Sequence, residues 1–213
     1  MNTATDLPSI VRTAVQLNNF DTRAARLVMS PIGRTPERPA GLAGTARSGA
    51  VLSVIFAAAN GLNVILIKRR DDLRHHPGQI SFPGGRREQD EPPLECALRE
   101  TREEIGIEAE TLSIAGALDP AYILVSDFCI HPFVAWHQGA PTCSPDPWEV
   151  DAILQVPLAR LCEPGARVRQ SKPILGTLRE VPGFLFAGHH IWGATAVLLN
   201  EIIERLKAVG WKG

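Results

Sequence analysis

Apolar and polar positions along the chain follow two periods, one near 3.6 residues and one of two. Between Leu7 and Leu17 the apolar residues at 7, 10, 14 and 17 keep the helical repeat, and Pro8 suits a first turn. Pro31 to Gly49 holds four glycines and three prolines with little periodicity, so it reads as a connector. Val51 to Ala58 and Leu62 to Lys68 read as two strands joined around Asn60-Gly61, a hairpin signal. From Leu94 to Ile105 the apolar positions 94, 97, 98 and 105, with Thr101 among them, predict a helix that buries one face and starts after Pro92 and Pro93. Leu112 to Leu118 and Phe128 to Trp136 predict strands separated by a loop at Asp119 to Asp127. Gln138 to Trp148 reads as a loop, Glu149 to Gln155 as a short strand, and Pro157 to Cys162 as a short helix. Gly183 to Phe186 predicts an edge strand, and Thr195 to Leu206 an amphipathic helix presenting Val197, Leu198, Ile202 and Leu206.

Early strands, a helix after them and a long helix near the end predict an α/β layer structure in which helices cover a mixed sheet. A length of 213 residues suits one core, so the expectation is a single domain over residues 1–213, with 1–49 forming an N-terminal helix and connector. Hydrophobic residues at 45% and charged residues at 21% exclude a disordered chain. A formal net charge of -1 gives no general attraction for nucleic acid or an anionic membrane, so neither is expected as a partner. Cysteines at 96, 129, 143 and 162 suggest no disulfide framework, and the N-terminus lacks a basic segment followed by an apolar core. A cytoplasmic location is the expectation, with a homodimer left open.

The stretch Gly85 to Ile107, GRREQDEPPLECALRETREEIGI, changes the picture. Glu100 and Glu104 stand four apart with Glu103 between them, crowding three carboxylates near the end of the predicted helix. Like charges repel there, and the helix dipole prefers cations. Hard divalent ions, Mg²⁺ or Mn²⁺, would reverse both penalties by taking carboxylate and phosphate oxygens together. Pro83, Gly84 and Gly85 can bring backbone close to a ligand or to the helix. The whole stretch resembles the Nudix box, G-x5-E-x7-R-E-U-x-E-E-x-G-U, through Gly85, Glu91, Arg99, Glu100, Thr101, Glu103, Glu104, Gly106 and Ile107. Thr101 departs from a strictly aliphatic residue. The resemblance implies a Nudix α/β/α sandwich with added terminal helices, metal-dependent pyrophosphate hydrolysis, and Glu100, Glu103 and Glu104 as catalytic metal ligands. It gives Glu91 and Arg99 a structural role and Gly106 the helix C-cap.

A narrower resemblance begins upstream. ILIKRRDDLRHHPGQISFPGG, from Ile65 to Gly85, is similar to the coenzyme A pyrophosphatase signature L-L-T-x-R-(S/A)-x3-R-x3-G-x3-F-P-G-G. Leu66, Arg69, Arg74, Gly78, Phe82, Pro83, Gly84 and Gly85 fall in place, whereas Ile65, Ile67 and Arg70 depart from it. Lys68, Arg69, Arg70 and Arg74 with His75 and His76 make a local positive region suited to a nucleotide, because a guanidinium grips phosphate bidentately. The implied substrate is coenzyme A or a derivative, split to 3′,5′-ADP and 4′-phosphopantetheine, with Arg69, Arg74, Gly84 and Gly85 binding it. Glu103, Glu104 and Glu149 are alternatives for the proton acceptor. The alternative readings are a Nudix hydrolase of ADP-ribose or another nucleoside diphosphate conjugate, and a nucleotide-binding protein without turnover. No Walker A sequence and no G-x-G-x-x-G in a strand-helix setting favours other nucleotide folds.

Overall fold

The computed structural model describes residues 6–31, 47–174 and 176–213. Most of the predicted connector, 32–46, lies outside them. The strands are β1 (Arg47–Ala58), β2 (Gly61–Arg69), β3 (Ile80–Ser81), β4 (Gly84–Arg86), β5 (Leu112–Ala117), β6 (Ala121–Ile123), β7 (Phe128–His137), β8 (Val150–Pro157), β9 (Arg167–Ile174), β10 (Thr177–Phe186) and β11 (His189–Trp192). The helices are α1 (Leu7–Val15), α2 (Thr22–Leu27), α3 (Pro93–Ile105) and α4 (Gly193–Ala208).

The hairpin forms as its turn residues require, closing at Ala58 and Gly61 with Ala59 and Asn60 between them. Gly61 takes φ +100°, and the Asn63 amide donates to the Asn60 side chain at 2.7 Å. The main sheet runs β3-β2-β1-β7-β5, with β8 on β2, β6 on β7 and β4 on β1. It is mixed, because β1 pairs with β7 in parallel and with β2 antiparallel.

Alternation along the central strands divides the core into two layers. Leu52, Val54 and Phe56 of β1, with Ile65 and Ile67 of β2, pack with Cys96, Ala97 and Ile105 of α3. Ile55, Val64 and Leu66 point the other way, into a cluster with α1 and α4 that includes Val11, Ala14, Leu198 and Ile202. Helices therefore cover both faces, the α/β/α sandwich.

Three expectations need correction. The segment Asp119 to Asp127 is not only a loop, since β6 pairs there with β7 from Ala121–Ile130 to Ile123–Phe128. Gly183 to Phe186 is the end of β10, the middle strand of a second, antiparallel sheet ordered β11-β10-β9. The outer strand β9 reads RVRQSKPI, too polar to show an apolar period. The C-terminal helix is buried almost all round, every residue from Thr195 to Ile203 included. Its polar residues turn inward because partners wait there. Glu201, fully buried, accepts from Arg26 at 2.6 Å and from Arg205 at 2.8 Å. The Asn200 amide donates to the Ala25 carbonyl at 2.7 Å, and the Arg205 guanidinium lies 4.4 Å from the centre of the Phe20 ring.

Removing Glu201 strands two buried guanidinium groups. Glu201→Ala is expected to destabilise the protein by about 3–5 kcal/mol, read from equilibrium urea unfolding. A loss below about 1 kcal/mol, the range of exposed ion pairs, would show that the cluster does not hold the terminal helices together.

Candidate active site

The helix α3 begins beyond Pro92 and ends at Gly106, whose φ of +69° provides the left-handed cap. Its last carbonyls are not left to water: Ser144 N donates to Ile105 O and Asp146 N to Glu104 O, both at 2.9 Å. The loop before β8 is thereby pinned to the helix end. Thr101 fits its buried position because its hydroxyl donates back to Ala97 O at 2.6 Å.

Glu104 is buried at 3% exposure. Its Oε2 accepts the Gly84 amide at 2.9 Å, and its Oε1 lies 3.3 Å from an Arg69 nitrogen. Burial outweighs both contacts and pushes the Glu104 carboxyl up to about 8. The Gly84 approach requires glycine: φ is +148°, and a Cβ would overlap the backbone of Ala50 and Val51. The Glu100 carboxylate lies against Gly85, in space that a Cβ would fill. Burial raises its pKa above the ordinary range, opposed by Arg99.

Arg99 joins the remaining carboxylates. One nitrogen donates to Glu100 and Glu103, each at 2.9 Å, while two others reach Glu91 at 2.7 and 3.1 Å. The guanidinium holds Glu91 down to about 2. Glu103 is half-exposed. Among the described residues, no three His, Cys, Asp or Glu side chains converge as ready ligands of one ion. Arginines divide the carboxylates instead, Glu100 and Glu103 facing Arg99 and Glu104 facing Arg69.

The basic stretch is equally divided. Lys68 pairs with Asp151 at 2.6 Å and Asp71 at 3.4 Å. Arg70 is clamped to Asp72 at 2.8 and 2.7 Å and donates to Pro147 O at 2.8 Å. That locks the loop and explains why a long side chain occupies a position where the signature has a small one. Arg74 is exposed and makes no ion pair or hydrogen bond among the described residues. His76 contacts the Gln79 side chain at 3.0 Å.

The register of β2 against β8 shifts between Lys68 and Arg69, so that Arg69 opposes Val150. Glu149 then comes within 3.6 Å of Arg69, and its charge contributes to raising Glu104 and Glu100. Only the strand register brings Glu149 beside Arg69, so its neighbours cannot be read from the spacing of residues along the chain.

A match to the NUDIX domain family covers residues 46–176, from the start of β1 to the end of β9. The chain belongs to the Nudix family. It is similar to Nudix hydrolase 3 of Caenorhabditis elegans, 32% identical over 68% of this chain and 67% of that protein. It is 30% identical to the mitochondrial coenzyme A diphosphatase NUDT8 of Homo sapiens, over 87% of this chain and 78% of that one. Nudix hydrolase 22, chloroplastic, of Arabidopsis thaliana is 31% identical over 72% of this chain, which spans 53% of that protein's length. In fold it resembles the Nudix hydrolase RenU from M. smegmatis, with a TM-score of 0.54 over 80% of this chain and 92% of that one at 16% identity. The chain is a Nudix-fold hydrolase. Within the Nudix fold, Glu100, Glu103, Glu104, Arg69, Gly84 and Gly85 share one corner, while Arg74 stands in the loop between β2 and β3. No helix among the described residues is long and apolar enough to cross a membrane.

The raised pKa of Glu104 has a thermodynamic sign. Between its ordinary value of 4.5 and about 8, the folded state binds more protons than the unfolded state, so stability falls as pH rises through that window. Chelator-treated Glu104→Gln protein is expected to lose less melting temperature across the window than the parent. Parallel curves would remove Glu104 as the source of this dependence.

Proposed function

We propose that the chain hydrolyses the pyrophosphate of coenzyme A or a derivative, yielding 3′,5′-ADP and 4′-phosphopantetheine. One observation carries the reading: the buried Glu104 of the Nudix helix is held by Arg69 and Gly84, both from the coenzyme A signature segment. The two sequence signatures thus meet at one carboxylate. The likeness to a coenzyme A diphosphatase over most of both chains supports the same substrate. We also take residues 1–213 to act as a single domain. A cytoplasmic location belongs to the reading, supported by four free thiols.

Glu100, Glu103 and Glu104 are hard oxygen donors of the kind Mg²⁺ or Mn²⁺ takes and would hold such an ion on giving up their present pairs with Arg99 and Arg69. Such an ion, when bound, supplies Lewis acidity to phosphate oxygens and lowers the pKa of water. Arg69 positions Glu104 and reaches toward phosphate, and Arg74, with no internal partner among the described residues, is free to grip a second phosphate oxygen pair. The Gly84 and Gly85 backbone holds substrate close to the helix. Glu149 beside Arg69, Glu103 and Glu104 are the alternatives for the group that accepts a proton from water.

Glu103 is half-exposed and its pair with Arg99 contributes at most about 1 kcal/mol to folding. Glu103→Gln is therefore expected to lower turnover roughly a hundredfold, shift the Mg²⁺ and Mn²⁺ titration to higher concentration, and leave the melting temperature near the parent's. Unchanged, chelator-insensitive turnover would remove the metal assignment.

Measured as kcat/KM under saturating metal, coenzyme A is expected to exceed dephospho-coenzyme A and ADP-ribose. Arg74→Lys should lower the value for coenzyme A by about tenfold, since lysine keeps the charge but loses the paired geometry. A higher value for ADP-ribose would overturn the substrate, and an unaffected Arg74→Lys enzyme would overturn the role of Arg74.

A further inference from the structure

The second sheet carries chemistry that the carboxylate site does not use. Strand alternation and register set Lys172 of β9, Arg179 of β10, and His190 and Trp192 of β11 on one face. Lys172 and Arg179 are direct cross-strand neighbours. Like charges opposite one another oppose pairing, and among the described residues neither has an acidic partner. The carboxylate of Glu180 is engaged by Ser171 on the opposite face.

His190 adds a second anomaly. Its ring packs over Gly183, which has no side chain to exclude it. Both ring nitrogens are buried without a hydrogen-bond partner among the described residues. Burial and the Lys172 charge lower its pKa, so near neutral pH the ring is uncharged and keeps one N–H donor. Lys172, His189, His190 and Trp192 line an open cleft of about 300 Å³, closed on its other side by residues 77–80. The carboxylate that sits against Gly78, that of Asp71, is taken up by Lys68 at 3.4 Å.

We propose that this cleft is a binding subsite for a phosphate group. Lys172, unpaired among the described residues, would supply charge in the cleft, with Arg179 as its cross-strand neighbour adding to it, and the His190 ring, on turning from Gly183, would supply a donor whose hydrogen bond to an anion replaces a missing one. Its position suits a substrate that also reaches the carboxylate corner: Ile80, which lines the cleft, precedes Gly84 by four residues, and so lies within about 14 Å of it. On the coenzyme A reading above, the phosphate is the substrate's 3′-phosphate. The same chemistry would accept free inorganic phosphate.

Two measurements separate these sources and keep the cleft distinct from the proposed reaction. Inorganic phosphate titrated into the chelator-treated full chain should saturably shift the His190 imidazole and Trp192 indole NMR resonances, with affinity about tenfold weaker in Lys172→Gln. Resonances that do not move, or a titration indifferent to Lys172→Gln, would overturn the subsite whatever the enzyme hydrolyses. The second measurement is the ratio of kcat/KM for coenzyme A to that for dephospho-coenzyme A. A ratio that collapses toward one in Lys172→Gln identifies the 3′-phosphate as the occupant. Phosphate binding with an unchanged ratio identifies a free phosphate site. A parent enzyme that prefers ADP-ribose would sink the coenzyme A reading and leave the phosphate titration standing.

Discussion

A carboxylate withdrawn from water must be answered by donors or remain protonated, and Glu104 is answered only in part. It receives one amide hydrogen bond from Gly84 and one guanidinium from Arg69. These partners come from the start of β4 and the end of β2, while Glu104 itself comes from the last turn of α3. One side chain therefore fixes the relative placement of three elements. The close packing of Gly84 on β1 admits no larger residue, so the backbone cannot withdraw without unmaking the pairing of β1 with β4.

The arginines extend this principle across the site. Carboxylates gathered at a helix C-terminus are electrostatically unfavourable; Arg99 holds two of them, Glu100 and Glu103, and Arg69 holds Glu104 together with Glu149 from the loop before β8. The arrangement keeps the acids apart and oriented while leaving Glu103 half in solvent. Beneath it, the two-sided burial of β1 and β2 gives these side chains a rigid floor, since alternate residues are committed to α3 and to the terminal helices.

Much of this was legible locally. The hairpin, the helix before Gly106 and the carboxylate spacing are dense signals within short windows, and α1 declared itself through its apolar period. What escaped were features set by distant partners. The polar sequence of β9 has no apolar alternation, so the sequence predicts only an edge strand where β10 stands in the middle of a sheet. The helix α4 looked amphipathic because Asn200, Glu201 and Arg205 are polar, yet each finds a buried partner from the first 26 residues or its own helix. Glu149 reaches Arg69 through a register shift that no residue in either strand announces. Arg70, which stands where the signature has a small residue, serves the loop by holding Asp72 and Pro147.

The Arg26–Glu201 contact closes a loop of 175 residues. During synthesis, the N-terminal helices emerge long before the carboxylate that will receive Arg26. The Arg26–Glu201 contact must therefore follow the emergence of α4, and a contact so distant in sequence pays its ordering entropy late. The central hairpin, by contrast, can close as soon as its two strands exist. The hairpin contact is thus available early in synthesis, and the contact that ties the N-terminal segment to α4 only near its end.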